Sequence, residues 1–311
     1  MTKLERFITN IWLVRWLKIQ AKRLYIPGFQ QVPFYDVVAF FFKQINKVGL
    51  NDRAASISFH LIMALPAAVL FLFSIVPYLP KSGNFEKEIL KLFNDVTPNS
   101  ATYSFIKNLL HDLMKKHVGV FSFGFLLVIY YASNAMMGII RSFDKSIQET
   151  KGFFLIQRWR AIQLTFILIF LIIASATMLI GQQELFLILK KLFGLKTKAS
   201  LPIISFFRWL ILIGLLFYGV SFIYKYAPSV KKRWPLVTPG SILTTALFVL
   251  TTFVFSYWVN NFAAYNKVYG SIGTVLILML LIYINSLIFL IGFELNVSIN
   301  SLQTKAKQSK N

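Results

Sequence analysis

The 311-residue chain is 57% hydrophobic, carries 33 lysines and arginines against 11 aspartates and glutamates, and has a formal net charge of +22. With a mean hydropathy of +0.64 it is too apolar for an ordinary soluble domain, which averages about 45–50% apolar residues. The absence of cysteine excludes disulfides, thiolate-held iron–sulfur clusters and cysteine nucleophiles.

A polytopic, all-α membrane protein is the natural class. Its positive charge calls for an anionic partner, and the apolar spans favour membrane lipid, through anionic headgroups, over nucleic acid. Residues 1–53 read as a cytoplasmic amphipathic N-terminal segment. Arg15, Lys18 and Lys22 share one helical face and Leu13, Leu17 and Leu24 the other, the pattern of a helix lying on a membrane surface. Arg15 and Lys18 also interrupt the only apolar run before it reaches the length of a secretory signal. Pro27, Gly28 and Pro33 break this segment, and a second amphipathic piece from Phe34 to Val48 leads to the cap-like Asn51-Asp52-Arg53.

Residues 54–296 form the transmembrane domain, with six predicted spans at 54–79, 118–140, 161–183, 202–224, 240–259 and 273–295. In the first, Asp52, Ser56, His60, Met63 and Ala67 fall on one stripe at helical spacing, the face expected to meet the bundle, and Pro66 predicts a kink. Residues 81–117 are polar around a Pro98-Asn99-Ser100 break and read as an exterior helical hairpin, a surface for a protein partner. The second span carries Asn134 and Gly138 and ends at Arg141, and the basic loop behind it holds Asp144. Arg208 lies about two turns inside the fourth span, placed to snorkel. Ser241, Thr245, Thr252 and Ser256 offer hydroxyls along the fifth. Residues 265–273 read as a polar, glycine-punctuated loop folded back at the start of the last span, and 297–311 as a polar basic C-terminal tail. The last span, polar on more than one face, is expected at the centre of the bundle. Most lysines and arginines, and every arginine except Arg208, lie in residues 1–53, 141–160, 225–239 and 305–311. The positive-inside rule therefore places both termini in the cytoplasm.

Two constellations are candidates for function. His60, Asn134 and Asn285 are polar groups inside spans one, two and six, and with Tyr269, Gly270 and Gly273 at the mouth of the last span they form a candidate path or gate. The same residues serve equally as interhelical hydrogen-bonding groups and a packing turn. Asp52, Arg53, Arg141, Asp144, Glu294 and Asn296 lie at the cytoplasmic mouths of those spans. Arg53 or Arg141 paired with Asp144 or Glu294 would make a cytoplasmic latch, although helix caps and interfacial charges use the same residue types. No P-loop, zinc-hydrolase or serine-hydrolase motif is present. His60, His111 and His117 are too scattered for a metal site, so neither cofactor nor catalytic residue is expected.

Tyr269-Gly270-Ser271-Ile272-Gly273 and Gly292-Phe293-Glu294-Leu295-Asn296, together with Asp52-Arg53-Ala54-Ala55-Ser56-Ile57-Ser58-Phe59-His60 and Tyr226-Ala227-Pro228, resemble the YihY / virulence factor BrkB family of bacterial inner-membrane proteins. The resemblance runs from Phe34 to Asn300, with His60 where the family pattern has an aromatic and Asp144 near its asparagine. It implies a six-span inner-membrane protein with transport as the leading role. Some members carry the label ribonuclease BN, which the residues above do not support. The expected function is a transporter or translocase of a lipid or amphiphilic anion. A non-transporting envelope scaffold is the alternative, and a membrane-bound ribonuclease comes last.

Overall fold

The computed structural model describes residues 20, 28–29, 32–75, 118–147, 153–180, 201–230, 233–261 and 264–308. The expected surface helix of residues 1–25, the hairpin of residues 81–117 and the side chains of Arg208, Tyr269, Gly270 and Gly273 lie outside what is described. The regular structure among the described residues is entirely helical: α1 Phe34–Val48, α2 Leu50–Ile75, α3 Val118–Asp144, α4 Phe154–Ile180, α5 Leu201–Tyr226, α6 Pro239–Asn261 and α7 Ala264–Gln308. Five stretches among them are long and apolar enough to cross a bilayer: Phe123–Asp144, Phe154–Ser175, Trp209–Tyr226, Pro239–Trp258 and Val275–Gln308. The 26 residues of α2, with Pro66 inside, reach about 39 Å at 1.5 Å per residue, beyond the hydrocarbon thickness of about 30 Å.

The described residues fall into two compact units, one drawn from Met1–Ile57, Ile140–Gly152 and Leu216–Asn311, the other from Ser58–Ile139 and Phe153–Leu215. In the first, α1 stops at Gly49, whose left-handed backbone (φ 62°, ψ 62°) suits a residue without a Cβ and lets α2 begin at the next position. Phe29, Val32 and Val37 are buried with Ile299, and Phe34, Leu295 and Leu302 pack against them. That apolar seam fastens α1 along the end of α7. It also explains why residues 297–308, expected as a polar tail, continue the helix: Leu295, Ile299 and Leu302 recur at helical spacing and have somewhere to bury.

At its other end α7 starts at Ala264, so residues 265–273, expected as a loop, are its first turns. Glycine is tolerated in membrane helices, where breaking the backbone ladder has no water to compensate it. Among residues 275–280 five of six are exposed, whereas Ser286, Ile288, Phe289, Leu290, Gly292, Phe293, Glu294, Asn296, Val297, Ser298 and Ile299 are buried. The stretch of α7 from Ser286 to Ile299 is thus largely enclosed, while its last turn is exposed. Around it Phe143 stacks on Phe293 (centroids 3.6 Å, 3°), with Tyr224, Phe289 and Trp234 packed alongside.

The buried face of α2 differs from the expected stripe. Arg53, Ala54, Ile57 and Ser58 are buried, while Asp52, Ser56 and Met63 are exposed and His60 is half-buried. One residue is a rotation of about 100°, and the face is set by the partner that Arg53 finds on α7. In the second unit, Ala67 and Val128 are buried with Ala68, Phe125, Leu127 and Ile169 around them. Phe154, Leu155, Trp159, Phe166 and Phe170 of α4 are exposed. Such a surface is a liability in water and the ordinary lipid-facing side of a spanning helix.

Candidate functional site

Glu294 sits two residues after Gly292, in the enclosed stretch of α7. Its Oε1 accepts a hydrogen bond from Arg53 Nη1 at 2.6 Å and a second, short one from Ser146 Oγ. Arg53 is 2% exposed and Glu294 0%. The pairing is one-pronged: Nε and Nη2 of Arg53 and Oε2 of Glu294 are buried without a hydrogen-bond partner among the described residues. An Arg–carboxylate bond built only for strength is usually two-pronged, so this guanidinium keeps donors in reserve at a place where donors are expensive to bury.

The other members of the expected latch do different jobs. Asp144 accepts from the backbone N–H and the hydroxyl of Ser229, both at 2.9 Å, and so ties the end of α3 to the turn after α5. Asp52 and Arg141 are exposed. Asn296 closes the start of α6. Its Oδ1 accepts from Gly240 N at 2.9 Å and its Nδ2 donates to Thr238 Oγ1 at 2.9 Å. Thr238 Oγ1 in turn accepts from Ser241 N at 3.1 Å, and Pro239 has no N–H to satisfy. Every early donor of α6 is thereby answered. Asn296→Ala strands the Gly240 N–H in a buried place, and we expect a loss of about 1–3 kcal/mol, read as an earlier thermal unfolding transition of the purified protein in detergent.

The candidate path residues have partners of their own. In the second unit Asn134 Oδ1 accepts from Arg158 Nη1 at 2.6 Å. The His60 ring lies against Gly138, where an added Cβ would come within 2.6 Å of its Cδ2. In the first unit Asn285 is half-buried, with its Oδ1 unpartnered among the described residues. Tyr269, Gly270 and Gly273 belong to the first turns of α7. Sequence reasoning missed Ser146 and Arg158, which sit in or beside the basic loop where charge density conceals individual roles. It also missed Tyr224, whose hydroxyl donates to the Phe289 carbonyl at 2.6 Å and lies 2.7 Å from Thr244 Oγ1. Among the described residues no group of three or more His, Asp or Glu side chains is gathered as a metal would require.

Long apolar helices, lipid-facing aromatic surfaces and an ion pair buried between α2 and α7 define a polytopic α-helical membrane protein. The chain belongs to the virulence factor BrkB family, whose sequence profile matches residues 41–311. It is 26% identical to the ribonuclease-like protein YfkH of Bacillus subtilis over 79% of this chain and 88% of that protein. It is also 23% identical to a UPF0761 membrane protein of Alteromonas mediterranea over 85% of this chain and 87% of the relative. A UPF0761 membrane protein of Idiomarina loihiensis is 30% identical over a shorter stretch, 34% of this chain and 37% of the relative. No solved structure matches the chain.

Proposed function

We propose that this protein is a transporter or translocase of the bacterial inner membrane, with both termini cytoplasmic, that moves a lipid or another amphiphilic anion. The observation that carries this reading is the buried, one-pronged Arg53–Glu294 pair. A static bolt between helices is served as well by packed apolar side chains, because desolvating two charges offsets most of their attraction. A guanidinium whose Nε and Nη2 have no partner among the described residues is suited to take a carboxylate or phosphate in two-pronged fashion while Glu294 lets go. The pair then acts as a latch that an anionic substrate opens, and the basic segments of residues 1–53, 141–160 and 225–239 draw anionic lipid to it. The reading assigns the protein no hydrolytic chemistry. Asp144 and Glu294 are held in separate duties by Ser229 and Arg53, which does not suit a shared metal.

The test is flux in proteoliposomes. Purified full-length protein is reconstituted with a fluorescent anionic phospholipid, and its transbilayer movement is followed by quenching from outside. Arg53→Gln and Glu294→Gln should each slow the initial rate by about tenfold or more, the loss expected for one charge-assisted contact of about 1.5–3 kcal/mol. Both variants should elute as folded, monodisperse protein. Parent-level flux in both would remove the pair from the substrate path.

A further inference from the structure

Beside the latch, the first unit contains a cavity of about 390 Å³ between α1, the turn after α3, the loop before α6 and the last turns of α7. Its lining includes Lys43, Ser146, Trp234, Asn300, Thr304 and Lys305, and no carboxylate among the described residues. Lys305 is held at the wall, its ammonium 5.3 Å from the centre of the Phe40 ring. Trp234 is 7% exposed, and its indole Nε1 is buried without an acceptor among the described residues. Two ammonium groups, amides and hydroxyls line one pocket. It is rich in donors and carries positive charge, with no counter-charge among the described residues that line it.

We infer that this cavity binds a phosphate-bearing anion, either the headgroup of an anionic phospholipid or a soluble phosphate ester. The chemistry matches: a phosphate monoester carries about −1.5 to −2 charges and three strong acceptor oxygens, which two lysines and a ring of neutral donors can answer together. The position matches as well. Counting from Val275, the first residue of the apolar stretch, about 20 residues cross the hydrocarbon. Asn300, Thr304 and Lys305 therefore stand beyond it, at headgroup depth. α1 lies alongside, with Phe42 exposed next to Lys43, in the manner of a helix seated in the interface. The site uses neither Arg53 nor Glu294 as a ligand and stands whether or not the protein transports. Ser146 lines the cavity and also donates to Glu294, so an occupant that claims this hydroxyl loosens the carboxylate's hold on Arg53.

Calorimetric titration of the purified full-length protein in a neutral detergent tests the site directly, with short-chain phosphatidic acid, short-chain phosphatidylcholine and inorganic phosphate as separate titrants. Saturable binding of phosphatidic acid alone assigns the headgroup as ligand. Inorganic phosphate binding as tightly assigns soluble phosphate. In either case Lys43→Gln/Lys305→Gln weakens binding by about tenfold or more. Lys307→Gln, an exposed charge outside the lining, changes it by less than about twofold. The two lysines are exposed at their α-helical positions, so their replacement leaves the fold intact. The inference is overturned by no saturable binding of either anion, by equal affinity for phosphatidylcholine and phosphatidic acid, or by an equal loss in Lys307→Gln.

Discussion

Glu294→Leu lowers the stability of the protein by about 3–5 kcal/mol, and adding Arg53→Met to it restores most of that loss. Removal of the carboxylate alone leaves a guanidinium that is 2% exposed with none of its three nitrogens answered among the described residues, where Nε and Nη2 have no partner even in the parent. An uncompensated buried charge is among the few single changes that cost so much. The double variant removes the charge as well, and methionine and leucine fill similar volume without the desolvation penalty. Ser146 loses an acceptor in both, but its hydroxyl also lines the cavity beside α1, where water can serve. Denaturant unfolding of all four proteins of the cycle in one detergent gives the coupling directly. A Glu294→Leu protein as stable as the parent would mean that the charges are hydrated rather than buried. The same double variant separates stability from transport. It should be folded and carry no anion flux, because the guanidinium proposed to receive the substrate is gone.

Much of the architecture is legible before any coordinates. Charge-free apolar runs of span length, separated by basic segments, are the least ambiguous pattern a sequence carries. What stays illegible has physical reasons. Periodicity marks a polar stripe on α2 but not its direction, because lipid and bundle interior are equally apolar; Asp52 and Arg53 are adjacent in sequence, yet one is exposed and the other buried. That Arg53 and Glu294 might meet is readable from the residue types at the span ends. That Arg53 rather than Arg141 is the partner is not, because both lie at helix ends with the same freedom to reach. Ser146 and Ser229, which complete the contacts of Glu294 and Asp144, stand in turns where serine is ordinary. The glycines and asparagine of residues 265–273 signal a loop under the rules for soluble chains, and those rules lose force where backbone groups lack water. The extension of α7 past Asn296 depends on α1 as a packing surface, a tertiary fact that local composition does not contain.

Gly292→Ala is the smallest change expected to disrupt the fold, at about 3 kcal/mol or more. Gly292 does not need glycine for its backbone, since among the described residues only Gly28 and Gly49 have positive φ; it needs glycine for space. A methyl there would run into Thr244 Oγ1 and lie 2.7 Å from the Gly240 carbonyl oxygen and 2.8 Å from the Tyr224 hydroxyl. On the facing helix a methyl at Gly240 would run into the Gly292 carbonyl and lie 2.6 Å from Asn296 Cγ. α6 and α7 therefore meet backbone to backbone, the close approach that small residues permit between membrane helices. A carbonyl cannot turn aside as a side chain can, so the alanine pushes α6 away. Overpacking of this kind costs about 1–3 kcal/mol by itself. Displacing Thr244 also breaks its 2.7 Å contact with Tyr224, adding about 1 kcal/mol. The shift extends to Asn296 and the capped start of α6. Gly214→Ala, in α5 with nothing within 4 Å of the added methyl, is the matched control and should be neutral or stabilising by up to about 1 kcal/mol. Both are read as unfolding midpoints in the same detergent, and equal stability of the two variants would mean that α6 and α7 are not in backbone contact.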